Sequence, residues 1–229
     1  MISTQNLCKS YDGNPVLRGV SLTVQRGECL GIVGENGAGK SVLCRLLSGL
    51  EPFDEGNLAI EAIDFDAETD PHDPQWVAAR RIVGFVPKPS ALQTYRTAEE
   101  LIIEGPLFVL NNSKKEALAT VAPWLTRLGL SAHQQKYPGQ LSSGQLARVA
   151  LARALSLGAR YLICDEVTAN MDAHYVSEVA KAIQELNADG IGVVCVSHDM
   201  QFIAKIATRI VTLRDGCLHT CDASYFSTL

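Results

Sequence analysis

The sequence predicts an α/β fold: a parallel sheet covered by helices on both faces. Two observations carry that prediction. Short, continuous apolar runs, "ECLGIV", "RRIVGFVP", "YLICDE" and "GVVCVSHD", alternate with helix-patterned segments. Strands apolar on both sides belong to sheets buried on both sides. In addition, three of these runs end in polar clusters, at Gly34 to Ser41, Asp165-Glu166 and Ser197-His198. Ligands of open parallel sheets gather at the carboxyl ends of the strands, so three clusters at three strand ends make one site.

Taken in order, "STQNLCKSYDG" and "PVLRGVSLTVQRGE" read as short strands, broken at Gly13-Asn14-Pro15 and Arg26-Gly27. "ECLGIV" is a buried strand that feeds a glycine-rich loop, with a helix from about Lys40 to Ser48. Asn57 to Phe65 alternates weakly and predicts one further strand. "FDAETDPHDPQ" is a polar, proline-containing loop, and "RRIVGFVP" a strand. From about Thr97 to Leu157 β-branched residues thin out, and "TAEELIIEG", "SKKEALATVAPWLTRLGL" and "SSGQLARVALARALSLG" predict helices. The strands "YLICDE" and "GVVCVSHD" then flank the helix "SEVAKAIQELNADG".

Bulk properties narrow the function. With 229 residues and 47% hydrophobic content there is ample material for a core. A net charge of −5 argues against a general nucleic-acid binder, which carries a basic field. No apolar run reaches the ~18–20 residues needed to span a bilayer, and "MISTQNLCKSYDG" lacks a signal-peptide pattern. The expectation is a cytosolic chain able to dock on a membrane protein. Of the seven cysteines, Cys29, Cys44, Cys164 and Cys195 sit singly in apolar runs and read as core filler. Cys217 and Cys221 are four apart, without a second pair at metal-ligand spacing.

Gly34-Glu35-Asn36-Gly37-Ala38-Gly39-Lys40-Ser41 fits G-x-x-x-x-G-K-S/T, the phosphate-binding loop. Glycines let successive N–H groups turn toward an anion, and the helix N-terminus adds positive potential. Lys40 is placed to reach the β- and γ-phosphates and Ser41 to hold Mg²⁺. A random chain of this length matches the pattern on the order of 1% of the time, and the strand before and helix after lower that further. "YLICDE" delivers Asp165 toward the metal, with Glu166 one step beyond as a carboxylate that can orient or deprotonate water. "LSSGQ" has two readings of equal weight. Ser142 and Gln145 form a capping box, or the helix start with Gly144 is an anion site. His198 is by itself an ordinary strand-end histidine, given more weight by its two neighbouring site strands.

Tyr11, the 34–41 loop, "LSSGQLARVALARAL", "YLICDEVTANMD" and "VSHD" resemble, in order and spacing over essentially the whole chain, the ATP-binding-cassette (ABC) ATPases. The resemblance implies a P-loop parallel sheet core for a single nucleotide-binding domain over residues 1–229. To that core it adds a small antiparallel β subdomain (about 1–30 and 57–65) and an inserted α-helical signature subdomain (about 97–157). It implies ATP and Mg²⁺ as ligands. Tyr11 would stack on adenine and Val16 pack near the ribose; Gly34, Asn36, Gly37, Ala38, Gly39, Lys40, Ser41 and Val42 would cradle phosphates. Ser41 and Asp165 would hold the metal, Glu166 would be the general base, and His198 would contact the γ-phosphate. Ser142, Ser143, Gly144 and Gln145 would close on ATP held by a second, head-to-tail subunit, most simply an identical one, with Asp172 linking the two sites.

The stretch from "VGFVPKPSALQ" to "TRLGL", with "VSHDMQFIAKIATRIVTLRDG", is similar to bacterial polar amino-acid importer ATPases. That implies permease subunits as partners, a place on the cytoplasmic side of the inner membrane, and no appended regulatory domain. Alternatives are an exporter or lipoprotein-release ATPase, or an ATP-binding clamp with little turnover. A translation-type protein of this family is disfavoured because those carry two cassettes per chain. Four positions depart from the family pattern: Lys88 stands where glutamine is usual, Ser143 where glycine is, Val42 where threonine is and Val167 where proline is. An ammonium beside Mg²⁺ is repelled, so Lys88 is expected to turn outward, away from the metal.

Overall fold

The computed structural model describes residues 1–220; Cys221 and the residues after it lie outside that description. Chain order gives β1 (Ile2–Tyr11), β2 (Asn14–Val24), β3 (Cys29–Val33), α1 (Lys40–Leu47), β4 (Glu55–Ile60), β5 (Ile63–Asp66), α2 (Pro74–Ile82) and β6 (Val83–Val86). There follow α3 (Ala98–Phe108), α4 (Lys114–Arg127), α5 (Ser143–Leu155), β7 (Tyr161–Asp165), α6 (Ala173–Ala188), β8 (Gly192–Val196), α7 (Met200–Ile206), β9 (Arg209–Arg214) and β10 (Cys217–Thr220).

Two sheets form. β2-β1-β4-β5 is antiparallel, and the six-stranded sheet runs β10-β9-β3-β8-β7-β6, parallel except for the β9–β10 hairpin. The larger sheet is the middle layer. Period-two alternation sends Leu30, Ile32, Ile163, Val194 and Val196 toward α1 and the antiparallel sheet. Their neighbours Cys29, Val33, Leu162, Cys164 and Cys195 face α5, α6 and α7. α7 approaches closely because β3 carries Gly31, where a Cβ would lie 2.5 Å from Ile203. Cys164 and Cys195 are register partners on neighbouring strands, so cysteines isolated in the sequence are adjacent in the core. Among the described residues no helix is long and apolar enough to cross a membrane.

Three sequence expectations change. The strand expected over 57–65 is a hairpin: Glu61 takes φ 56° and reverses the chain between β4 and β5. The segment expected as loop followed by strand contains α2, because Asp73 caps the amide of Gln75 and Pro74 occupies the first turn. Trp76 then stacks on Phe65 at 3.7 Å and anchors the helix to that hairpin. Finally, "MQFIAKIATRIVTLRDG" supplies α7 and β9, which the sequence reading left unassigned.

Candidate functional site

Register builds the site. Ile32 pairs with Val196, and Val196 with Asp165, so β3, β8 and β7 end side by side. The loop after β3, the Asp165-Glu166 turn and the Ser197-His198 turn therefore meet. They line a cleft of about 470 Å³ that also takes in Val16, Val42, Arg45 and Lys88. It adjoins a wider hollow of about 930 Å³ bounded by Val16, the 34–38 loop and the β9–β10 turn.

The loop needs its glycines. Gly37 and Gly39 lie at φ 83° and 97°, a region that other residues enter at a cost. At Gly34 a Cβ would sit 2.3 Å from the Leu213 carbonyl oxygen. Lys40 is buried and folds back over the loop, donating to the carbonyls of Gly34 (2.7 Å) and Glu35 (2.8 Å). Burial pushes its ammonium pKa down against the opposing pull of Glu166. Ser41 Oγ donates to Asp165 Oδ1 at 2.8 Å, so the two hard oxygens expected at a metal already touch.

Glu166 follows β7 with φ 49°, a left-handed conformation costing a residue with a β-carbon about 1 kcal/mol. Its N–H donates to the Val196 carbonyl at 3.0 Å, fixing the turn to β8. Its Oε1 lies 4.0 Å from Nδ1 of the more exposed His198. Its Oε2 pairs with Lys88 Nζ at 2.9 Å. This corrects the expectation that Lys88 turns outward: the loop after β6 brings it across the cleft onto Glu166, because the carboxylate is a closer counter-charge than solvent offers. Burial pushes the Glu166 carboxyl pKa up, but the Lys88 hydrogen bond and the charges of Lys88, His198 and Lys40 outweigh it, leaving it below the usual range.

Other candidate residues stand outside this cleft. Ser142 and Gln145 form the reciprocal capping box at the start of α5 (3.2 and 3.0 Å), and Gln145 also meets His133 at 3.1 Å. Ser143 and Gly144 open that helix, Gly144 against Tyr175, and Asp172 precedes α6. Tyr11 ends β1, and its hydroxyl donates to Glu51, which also receives Arg45 Nε at 2.8 Å. Arg45 lines the cleft and links it to Tyr11, a role the sequence reading missed. Its position one turn beyond Ser41 on α1 was the available signal; the partnership with Glu51 was not visible.

Residues 17–169 match the family model described as ABC transporter. The chain is 37% identical over 95% of its length to the arginine transport ATP-binding protein ArtP of Escherichia coli, covering 90% of that protein. It is 36% identical over 94% of its length to the methionine import ATP-binding protein MetN of Caulobacter vibrioides, of which it spans 65%. Among solved structures, a dimeric post-hydrolysis ATP-binding cassette bound to ADP and phosphate superposes with a TM-score of 0.83 at 28% identity, covering 97% of this chain and all of that one. With that likeness spanning the P-loop, the Ser41–Asp165 contact and Glu166, the chain belongs to the ABC transporter family as one of its ATP-binding, ATP-hydrolysing cassettes.

Proposed function

We propose that this cassette drives amino-acid import, working as a head-to-tail pair of subunits held by permease subunits at the cytoplasmic side of the membrane. The names of the relatives support the direction and solute class, and the dimeric neighbour supports the pairing. The observation that carries the chemistry is the convergence of Lys40, Ser41, Asp165 and Glu166 at aligned strand ends.

Ser41 Oγ and Asp165 suit Mg²⁺, a hard cation that takes oxygen ligands and keeps several waters. When bound, that ion offsets charge on the β- and γ-phosphates. Lys40 exchanges its two loop carbonyls for phosphate oxygens, and the amides of the 34–41 loop and of the start of α1 point at the same anion. Glu166 accepts a proton from the attacking water, and His198 steadies the terminal phosphate. Tyr11, held by Glu51 and Arg45, supports adenine, with Val16 beneath the ribose. Residues 142–145 lie outside the cleft of their own chain, which fits a role on ATP held by the partner, with Asp172 between the sites. In this reading the described sheets and helices act as a single nucleotide-binding unit.

A clamp that binds ATP with little turnover is the second reading, favoured by Lys88 on the catalytic carboxylate. Subunit mixing tests the shared site. Lys40→Ala and Ser142→Arg chains, each inactive alone, are expected to recover part of the ATPase activity when mixed, since one composite site stays intact. Absence of recovery in proven heterodimers would contradict it. Inactivity of the unaltered cassette in a reconstituted permease complex would favour the clamp.

A further inference from the structure

The contact between Lys88 and Glu166 joins unequal partners. Glu166 is held by its turn onto β8 and its side chain is only 12% exposed, whereas that of Lys88 is 42% exposed. Lys88 directly precedes a short turn over Pro89–Ala91 without capping it through its side chain, it lines the cleft, and its four-carbon stem is flexible. The fixed partner is the proposed base; the movable partner is the cation. An oxygen already receiving an ammonium proton is a weaker acceptor for a proton from water. The other oxygen faces His198.

We propose that Lys88 is a releasable latch on Glu166: it occupies the carboxylate read as the base and must leave it before ATP is hydrolysed. The inference rests on the reading of Glu166 as the base. The release is built into the cleft. Lys88 and Glu166 line the same space as Lys40 and Ser41, so a triphosphate entering there brings several negative charges within reach of the ammonium, against one on the carboxylate. A bound triphosphate competes with Glu166 for Lys88 and frees the base in a fraction of the loaded cassettes, so the latch still limits turnover. ADP lacks the terminal phosphate and leaves the latch closed. Glutamine at position 88 cannot hold a carboxylate by charge, so the latch belongs to this chain's lysine.

Two measurements test the latch. Acetylation of Lys88 by an N-hydroxysuccinimide ester, read by peptide mass spectrometry on the nucleotide-free protein, is expected to be severalfold faster in Glu166→Gln than in wild type. In steady-state assays Lys88→Gln is expected to raise turnover about fivefold, the factor for a half-exposed ion pair. Lys88→Arg restores slow turnover, and Lys88→Gln adds nothing in a Glu166→Gln background. Full wild-type turnover in Glu166→Gln would overturn the base assignment. If Glu166→Gln is inactive, equal Lys88 acetylation in both proteins, or unchanged or slower turnover in Lys88→Gln, overturns the latch alone. The acetylation assay leaves Lys88 unsubstituted, so it decides the matter even if the Lys88 variants fold poorly.

Discussion

At each end of β7 a glutamate meets a basic residue, and the two contacts are built differently. At the start of the strand, Tyr161 is fully buried and donates to Glu61 at 2.7 Å, while Arg26 Nε reaches the same carboxylate at 2.9 Å. At its end, Glu166 meets Lys88 and faces His198. Both glutamates occupy left-handed backbone, at φ 56° and 49°. The first joins the antiparallel hairpin to the base of the parallel sheet through a buried phenol that has nowhere else to go. The second opens onto the cleft, and Lys88, which holds it, lines that same cleft. Alike in residue type and backbone, the two carboxylates differ in surroundings: Glu61 is also bound by the fully buried Tyr161, whereas Glu166 lines the cleft, and that separates a structural tie from the proposed base.

The largest stability effect is expected at the lower tie. Glu61→Ala strands the buried Tyr161 hydroxyl and removes the partner of Arg26, costing about 2 kcal/mol. Its mark is a lower urea midpoint with ATPase activity per folded molecule unchanged. A fall in activity at unchanged stability would break the distinction between the two ends.

A smaller effect follows from pH. The Arg26 and Tyr161 hydrogen bonds hold the Glu61 carboxyl down at about 2, against 4.5 for a free glutamate. A depressed folded-state value means stability that is fully present above 4.5 and lost as pH falls toward about 2. Since the carboxylate is partly solvated, the expected contribution is about 1 kcal/mol. Unfolding of wild type and Glu61→Gln followed across this range should show their difference shrinking as acid is added. A constant difference would mean that the tie works through packing, not charge.

The sequence displayed the site more fully than the long-range contacts around it. The 34–41 loop, Asp165-Glu166 and the Ser142–Gln145 box are local patterns whose spacing is set by one turn or one strand end, and they stand where the sequence placed them. The helix α2 was hidden because its start, Asp73-Pro74, uses residues that also make loops, and only the Trp76–Phe65 stack decides between the two. The hairpin at Glu61 was hidden because a non-glycine residue makes the reversal, supported by Arg26 and Tyr161 from other strands. Lys88 was misjudged for a related reason. Its partner follows β7, one strand and three α-helices further along the chain, and repulsion by a metal takes no account of the carboxylate beside it.

The central claim is that the upper glutamate does chemistry while the lower one holds the fold. The most direct measurement is steady-state ATP hydrolysis by Glu166→Gln, with nucleotide binding and the urea midpoint recorded on the same protein. Removing the proton acceptor is expected to lower turnover by about 10²–10⁴-fold, with ATP still bound and the unfolding midpoint close to wild type. Turnover equal to wild type in a folded, ATP-binding Glu166→Gln protein would contradict the account.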